Sequence, residues 1–372
     1  MRVAFDNQAK HSGHSVRGIG MMIGEQTKEL LKESKKRRDV SINIVDFSKA
    51  NLSNYDIVHY PYFFPYTKTL PPQKPAKYEV VTIQDLIHLI YPKIYAPGLR
   101  GKINFYWQKM RLKKVDAIIT ISETSKKDIV RFLDINPDKI HVVYLAAKSV
   151  FKKISNRELL RKVQYKYKLP EKFVLYVGDV NYNKNVDTLV EACEIARIPL
   201  IIVGKQAVEL HQNIQKLQDL KGPRDYVRYL FNIPHPEVSH FRKLSRLIRE
   251  SNAACLGFVS DEDLACIYNL ATIYCQPSFY EGFGLIVLEA FACETPVIIS
   301  KTQALVEIAG DAAMIADPSN ANDFASKIKE LVLSDSTRIH YVRSGSERVK
   351  DFSWEKTARQ MIEVYKTVAN NS

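Results

Sequence analysis

Short apolar runs rich in β-branched residues recur along the chain, and the stretches between them carry apolar residues at helical spacing. Before residue 150 the runs are RVAF, SINIVDF, DIVHY, YEVVTI, DAIITIS and IHVVYL; from residue 173 on they are FVLYVGD, PLIIVGK, ACLGFV, TIYCQPS, PVIIS and AAMIADP. Runs that are apolar at nearly every position predict strands covered on both faces, the condition of parallel sheets flanked by helices. The fold class expected is α/β, with two doubly wound, Rossmann-like domains in tandem.

Between the two series, AAKSVFKKISNRELLRKVQYKYKLPEK is charged and has no strand pattern, which predicts a linker and a helix between residues 147 and 170. The domain boundary is expected there, with a first domain over 1–165 and a second over 166–352. Residues 206–252 contain GPRD and IPHPE and are long for one connection, so a helix, a turn and a second helix are expected. Near the end, Phe352, Trp354, Ala358, Met361, Ile362 and Tyr365 form a helical stripe preceded by Ser353 as a candidate N-cap.

Length and composition agree with this picture. A chain of 372 residues exceeds the size at which single cores stop growing, and 46% hydrophobic with 26% charged residues is the composition of a globular protein. No apolar stretch is long enough to span a bilayer, and the N-terminus lacks the apolar core of a signal peptide. All five cysteines lie in the second half without metal-ligand spacing, which predicts free thiols in a reducing, cytoplasmic setting.

Charge is distributed unevenly. Residues 1–150 hold 25 Lys and Arg against 14 Asp and Glu, whereas the remainder holds 29 against 27. The excess concentrates in KELLKESKKRRD (28–39) and LRGKINFYWQKMRLKK (99–114), the second of which interleaves Phe105, Tyr106 and Trp107 with basic residues. That pattern suits either a helix with its aromatics packed inward or an interfacial helix on an anionic membrane surface. Nucleic acid has only the net charge of +13 in its favour and is not an expected partner.

Ligands of open parallel sheets bind beyond the carboxyl ends of the strands, so the residues after each run carry the candidate chemistry. After RVAF a polar loop reaches RGIG, where Gly18 and Gly20 precede a helix; glycine there permits close backbone approach, and a helix start offers N–H groups to an anion. A loop without any ligand accounts for the same glycines. After FVLYVGD, Gly178 ends a strand and Lys184 precedes a helix, placed either to neutralise a phosphate or to be solvated. After TIYCQPS, Glu281 sits in a loop, Gly282, Phe283, Gly284 and Leu285 lead into a helix, and Glu289 lies just inside it. Carboxylates accept hydrogen bonds from hydroxyls and the N–H groups of the turn attract anions, so a ligand with sugar and phosphate satisfies both. An acidic loop followed by a helix-surface pair is the structural reading of the same residues.

The stretch PSFYEGFGLIVLEAF resembles the Glu-x7-Glu signature of retaining glycosyltransferases of family four, which have the GT-B fold. RGIG, VVTIQDLIHLIYP, VDAIITISETSKKDIVRFL, KIHVVYLA, YVGDVNYNKNVDTLVEA, LGFVSDEDLACIYNLA, EIAGDAAMIADP and FSWEKTA resemble further blocks of that family in its usual order, covering most of the chain. The resemblance implies two domains facing across a cleft, with the terminal helix, 353–372, crossing back to the first. It implies a nucleoside-diphosphate sugar as donor substrate, with no other cofactor, and a first domain that binds the acceptor; since that domain is the basic one, a glycan or lipid-linked acceptor at the cytoplasmic membrane face is expected.

Carried over position by position, the resemblance puts Glu281 on the donor sugar, Glu289 on the ribose, Lys184 on the diphosphate, and the backbone of Phe283, Gly284 and Leu285 against sugar or diphosphate. Gly18 and Gly20 would let the first domain close, Val259 would lie by the nucleobase, and Gln84 and Asp85 would face the reacting sugar and the acceptor. The chain departs from the family pattern at several positions. Gln84 stands where histidine is common, Asp179 and Asn183 where an arginine is frequent, Ile286 at a common proline and Glu294 at a common glycine. These changes also suit a sugar-nucleotide-binding partner subunit without turnover. Asp261, Glu262 and Asp263 have the Asp-x-Asp spacing of a metal motif in another glycosyltransferase fold. Ahead of LACIYNLA they are expected to open a helix capped by Ser260, and no metal site is expected.

Overall fold

The structure, a computed structural model, describes residues 1–8, 18–210 and 236–370. Every apolar run forms a strand, and the strands divide into two six-stranded parallel sheets, each within its own compact unit. The first unit comprises Met1–Ala146 and Phe352–Ser372, and the second Ala147–Asp351. The helix Arg157–Lys166 lies in the second unit, where it packs on the helix Asp261–Leu270; the expected boundary at 165 therefore falls after a helix that the second unit already owns.

The first sheet contains β1 (Arg2–Asp6), β2 (Ser41–Val45), β3 (Ile57–Tyr60), β4 (Tyr78–Ile83), β5 (Ala117–Thr120) and β6 (Ile140–Val142), in the order β2-β1-β3-β4-β5-β6. β3, β4 and β5 are buried at every position, as their mostly apolar sequence predicts, and the polar residues among them, His59, Glu79, Thr82 and Thr120, are buried with the rest. Strand order reverses at β1, so the crevice between β1 and β3 is the switch point at which such sheets take ligands. The helix Gly18–Lys35 follows β1, which puts Gly18 and Gly20 inside its first turn rather than ahead of it; the preceding loop lies outside the described residues.

The terminal helix Trp354–Asn370 packs on the helix Gly18–Lys35 and buries Trp354, Ala358, Met361, Ile362 and Tyr365 in the first unit. Ser353 opens it, its hydroxyl accepting from the Lys356 amide at 3.1 Å. Deeper in, the buried His59 of β3 joins Tyr365 Oη (2.6 Å) through Nδ1 and Thr82 Oγ1 (2.7 Å) through Nε2. Burial pushes the His59 imidazole down to about 3, so the ring is neutral and both nitrogens are matched by hydroxyls.

The second sheet contains β7 (Val174–Val177), β8 (Leu200–Val203), β9 (Ala253–Gly257), β10 (Ile273–Gln276), β11 (Val297–Ser300) and β12 (Met314–Ala316), in the order β12-β11-β10-β7-β8-β9. Its switch point lies between β7 and β10. At the carboxyl ends the chains crowd: Gly178 has φ +139°, and a Cβ on Gly204 would stand 2.2 Å from the Gly178 carbonyl oxygen, so only glycine fits there. The 206–252 connection shows the helices Lys205–Val208 and Pro236–Glu250, while GPRD lies outside the described residues. All five cysteines are free thiols; Cys193, Cys266, Cys275 and Cys293 are buried and Cys255 half-buried.

Candidate active site

The loops that leave β7 and β10 meet at the switch point of the second sheet. Asn185, in the left-handed conformation (φ +54°), donates from Nδ2 to the carbonyls of Pro277 (2.9 Å) and Pro318 (2.7 Å), tying the loops after β7, β10 and β12 together. The Phe279 amide donates to the Asn183 carbonyl at 2.8 Å and Asn183 Nδ2 to the Tyr280 carbonyl at 3.3 Å. Asn183, where the resemblance leads one to look for arginine, is thus buried and engaged with the opposite loop, a place with no room for a solvated cation.

This clamp brings Lys184 to Glu281. Lys184 Nζ donates to both carboxylate oxygens, at 2.7 and 2.8 Å, and Glu281 is buried. Glu281 Oε1 also accepts from Gln276 Nε2 and Ser278 Oγ, each at 2.7 Å. Below them Tyr274 Oη donates to Gln276 Oε1, and Ser300 Oγ donates to the Ser278 carbonyl. Burial keeps the Tyr274 phenol protonated, so it serves as a donor to this network. The carboxylate is therefore fixed from beneath by neutral donors and faced by one cation, a preorganised arrangement that costs no reordering when a ligand arrives.

Gln276, Ser278, Tyr274 and Ser300 have no role in the motif reading. The signal for Gln276 and Ser278 is the polar ending of an apolar run, CQPS, where β10 reaches its carboxyl edge; Ser300 likewise ends the run PVIIS of β11, and Tyr274 has no such signal.

Eight residues on, Glu289 is the fifth residue of the helix Leu285–Ala292 and is buried rather than paired on the surface. Tyr268 Oη donates to its Oε2 at 3.2 Å. Burial pushes the Glu289 carboxyl up to about 8, so it is largely protonated at neutral pH and can donate as well as accept. Lys148, paired with Asp261 at 2.6 Å, stands close enough to pull the other way. The two glutamates therefore differ in kind: Glu281 meets a cation, and Glu289 meets a phenol in an apolar setting.

The remaining candidates are placed as follows. Gly284 enters the helix with φ +111°, and a Cβ there would meet Leu305 Cδ2 at 2.8 Å, which accounts for glycine on steric grounds alone. Phe283 is buried, and with Gly282 and Leu285 completes the turn between the two glutamates. Val259 is buried in the turn after β9, beside Ser260, whose hydroxyl accepts from the Asp263 amide at 3.3 Å as the N-cap of Asp261–Leu270. Asp263 turns to Lys166 and Tyr167, and Asp261 to Lys148, as a capped first turn allows.

Ile286 lies inside the helix Leu285–Ala292. Glu294 sits just past that helix at φ +58°, a position that glycine adopts without strain, which explains the glycine common there in the resembling family.

In the first unit, Gln84 follows β4, buried, and donates from Nε2 to the Pro61 carbonyl (2.7 Å) beyond β3; its own carbonyl accepts from Ser125 Oγ at 2.8 Å. Asp85 Oδ1 accepts from the Ile87 amide at 3.1 Å and starts the short helix Ile87–Ile90. The glutamine is held in place by backbone at the carboxyl edge of its sheet, where a charged imidazolium would face burial.

Two family models match the chain: Glycosyltransferase Family 4 over residues 31–147 and Glycosyl transferases group 1 over 246–348. The O-antigen chain mannosyltransferase B of Escherichia coli is 31% identical over 298 residues, covering 77% of this chain and 70% of that protein. The serotype-specific mannosyltransferase WbdA of Escherichia coli is 26% identical over 343 residues, 88% of this chain but only 38% of that longer protein. Among solved structures, sucrose-phosphate synthase from Thermosynechococcus elongatus superposes over the whole of both chains with a TM-score of 0.71 at 19% identity. Two Rossmann-like units in this order, each built on a parallel sheet, are the GT-B architecture, and with these matches the chain belongs to the group 1 glycosyltransferases of family four.

Proposed function

We propose that the protein transfers a hexosyl group from a nucleoside-diphosphate sugar to an acceptor hydroxyl with retention of anomeric configuration. The observation that carries this reading is the Lys184–Glu281 pair at the switch point of the second sheet. A cation beside a fixed carboxylate suits a donor whose diphosphate must be neutralised while its sugar is oriented. The bond from C1 to the diphosphate oxygen breaks as the bond from C1 to the acceptor oxygen forms on the same face. The acceptor proton passes to an oxygen of the leaving phosphate. Lys184 stabilises the charge that grows there, Glu281 holds the sugar, and Glu289 exchanges its bond to Tyr268 for the ribose hydroxyls.

The names of the Escherichia coli relatives, both mannosyltransferases, favour mannose as the sugar moved. The donors to try are therefore mannose on a guanine nucleotide first and glucose on a uridine nucleotide second. The O-antigen chain in the first of those names favours a polysaccharide acceptor, and the basic first unit favours one that is lipid-linked at the cytoplasmic face of a membrane. Lys184 supplies the cation, so the reaction needs no metal.

Incubation with GDP-mannose and UDP-glucose across a panel of glycan and lipid-linked acceptors tests this reading. Nucleoside-diphosphate release with one donor, unchanged by EDTA, is the expected result. Glu281→Ala lowers kcat by about 100-fold or more, as loss of a preorganised electrostatic group does. Full turnover in that variant overturns the assignment. Donor binding by calorimetry without turnover on any acceptor assigns a partner subunit instead.

A further inference from the structure

The helix Leu99–Leu112 is turned inside out. Its buried side chains include Gln108 and Arg111, whereas Leu99, Ile103, Tyr106 and Met110 are 78%, 62%, 69% and 49% exposed. Those four positions are spaced four, three and four apart, one continuous stripe on a helix face. The inward face leaves no doubt about the rotation. Gln108 Oε1 accepts from the amides of Thr69 and Leu70 at 3.0 and 3.1 Å, and Arg111 donates from Nε to the Pro71 carbonyl at 2.9 Å. Arg111 Nη2 meets the buried Glu79 of β4, 2.8 Å from Oε1 and 2.7 Å from Oε2. Of the interleaved aromatics, Phe105 packs against Tyr66 and Trp107 lies under Lys68 Nζ; Tyr106 alone points outward.

Charge follows the stripe. No acidic residue occurs between Asp85 and Asp116, a span that holds seven Lys and Arg. Arg100 and Lys102 flank the exposed apolar positions and are themselves exposed. The helix has no acidic residue in its first turn and no side-chain cap, and it carries Arg100 there against the helix dipole. A solvated helix is expected to show the reverse on each count.

We propose that this face is a docking surface for an anionic lipid bilayer, with Leu99, Ile103, Tyr106 and Met110 entering the acyl boundary and Arg100 and Lys102 meeting the head groups. An apolar stripe rimmed by cations fits that occupant, since apolar burial and attraction to anionic lipid add. The docking surface rests on the membrane-facing acceptor of the proposed function, and gives it a location on the molecule.

Sedimentation of the full chain with vesicles of phosphatidylcholine alone, or with phosphatidylglycerol added, tests it. Binding to the anionic vesicles only, weakened by salt, is expected. Ile103→Ser with Tyr106→Ser lowers the partition coefficient by about tenfold or more. Lys102→Ala lowers it by about fivefold, the effect of one charge near an anionic surface. Leu333→Ser, at a site 82% exposed in the second unit, leaves it unchanged.

Equal binding to both vesicle types, or stripe variants that sediment like the parent, overturns the proposal. A stripe variant that instead dissociates a dimer or releases a co-purifying protein does so too, by assigning the face to a protein. Donor binding followed by thermal shift separates this from the function: vesicle binding without donor binding sinks the transferase reading and leaves the docking face standing.

Discussion

Glu281 and Glu289 share a motif and differ in their surroundings, and the difference sets what each can do. Glu281 is held by three side chains, while Glu289 has one phenol and is otherwise desolvated. The linkage is direct. A carboxyl whose folded value is raised from 4.5 to about 8 loses nothing below 4.5, where both states are protonated, and penalises folding increasingly as pH rises toward 8. Glu289→Gln removes that penalty. In urea titrations at several pH values the variant should therefore gain on the parent between pH 4.5 and 8, and the difference should be flat outside that window; a constant difference throughout is the contrary result.

The spacing of the two glutamates and their loop–helix placement were legible in the sequence. The burial of Glu289 and the support of Glu281 by Gln276 and Ser278 were not. Both depend on contacts between segments far apart in the chain, to which local pattern is blind.

Among the elements, strands were the most legible, because a run apolar at nearly every position has few alternatives to a doubly covered parallel strand. The helix Leu99–Leu112 was the least. Its composition suited an inward or an outward aromatic face, and what decides is a polar contact across the fold, Arg111 with Glu79. Glu79 is fully buried in β4, burial pushes its carboxyl up, and the guanidinium counters this; Arg111 Nη1 is buried without a hydrogen-bond partner among the described residues. Removing one member of such a pair leaves an uncompensated buried charge. Arg111→Met alone should cost about 3–5 kcal/mol, and adding Glu79→Leu should restore most of it. A double variant as unstable as the single one would mean that the pair stabilises the fold outright, and not only the rotation of the helix.

At the scale of the molecule, the two units have separate cores, and effects on one core should stay within it. Tyr365→Phe leaves a nitrogen of the buried His59 without its partner, at about 1–3 kcal/mol. Hydrogen exchange should accelerate across the core of Met1–Ala146 and Phe352–Asn370 and stay unchanged over 147–351; acceleration in both would show that the units unfold together.

The return of the terminal helix to the first unit also sets a timetable for biosynthesis. The second unit is one continuous segment and has all its strands as soon as they leave the ribosome, whereas the first-made unit waits for the last residues of the chain. At about 5–20 residues per second the intervening segment takes roughly 10–40 s to synthesise. For that time His59 and the faces later covered by Trp354, Met361 and Tyr365 stand open, and apolar surface exposed in this way is what chaperones bind.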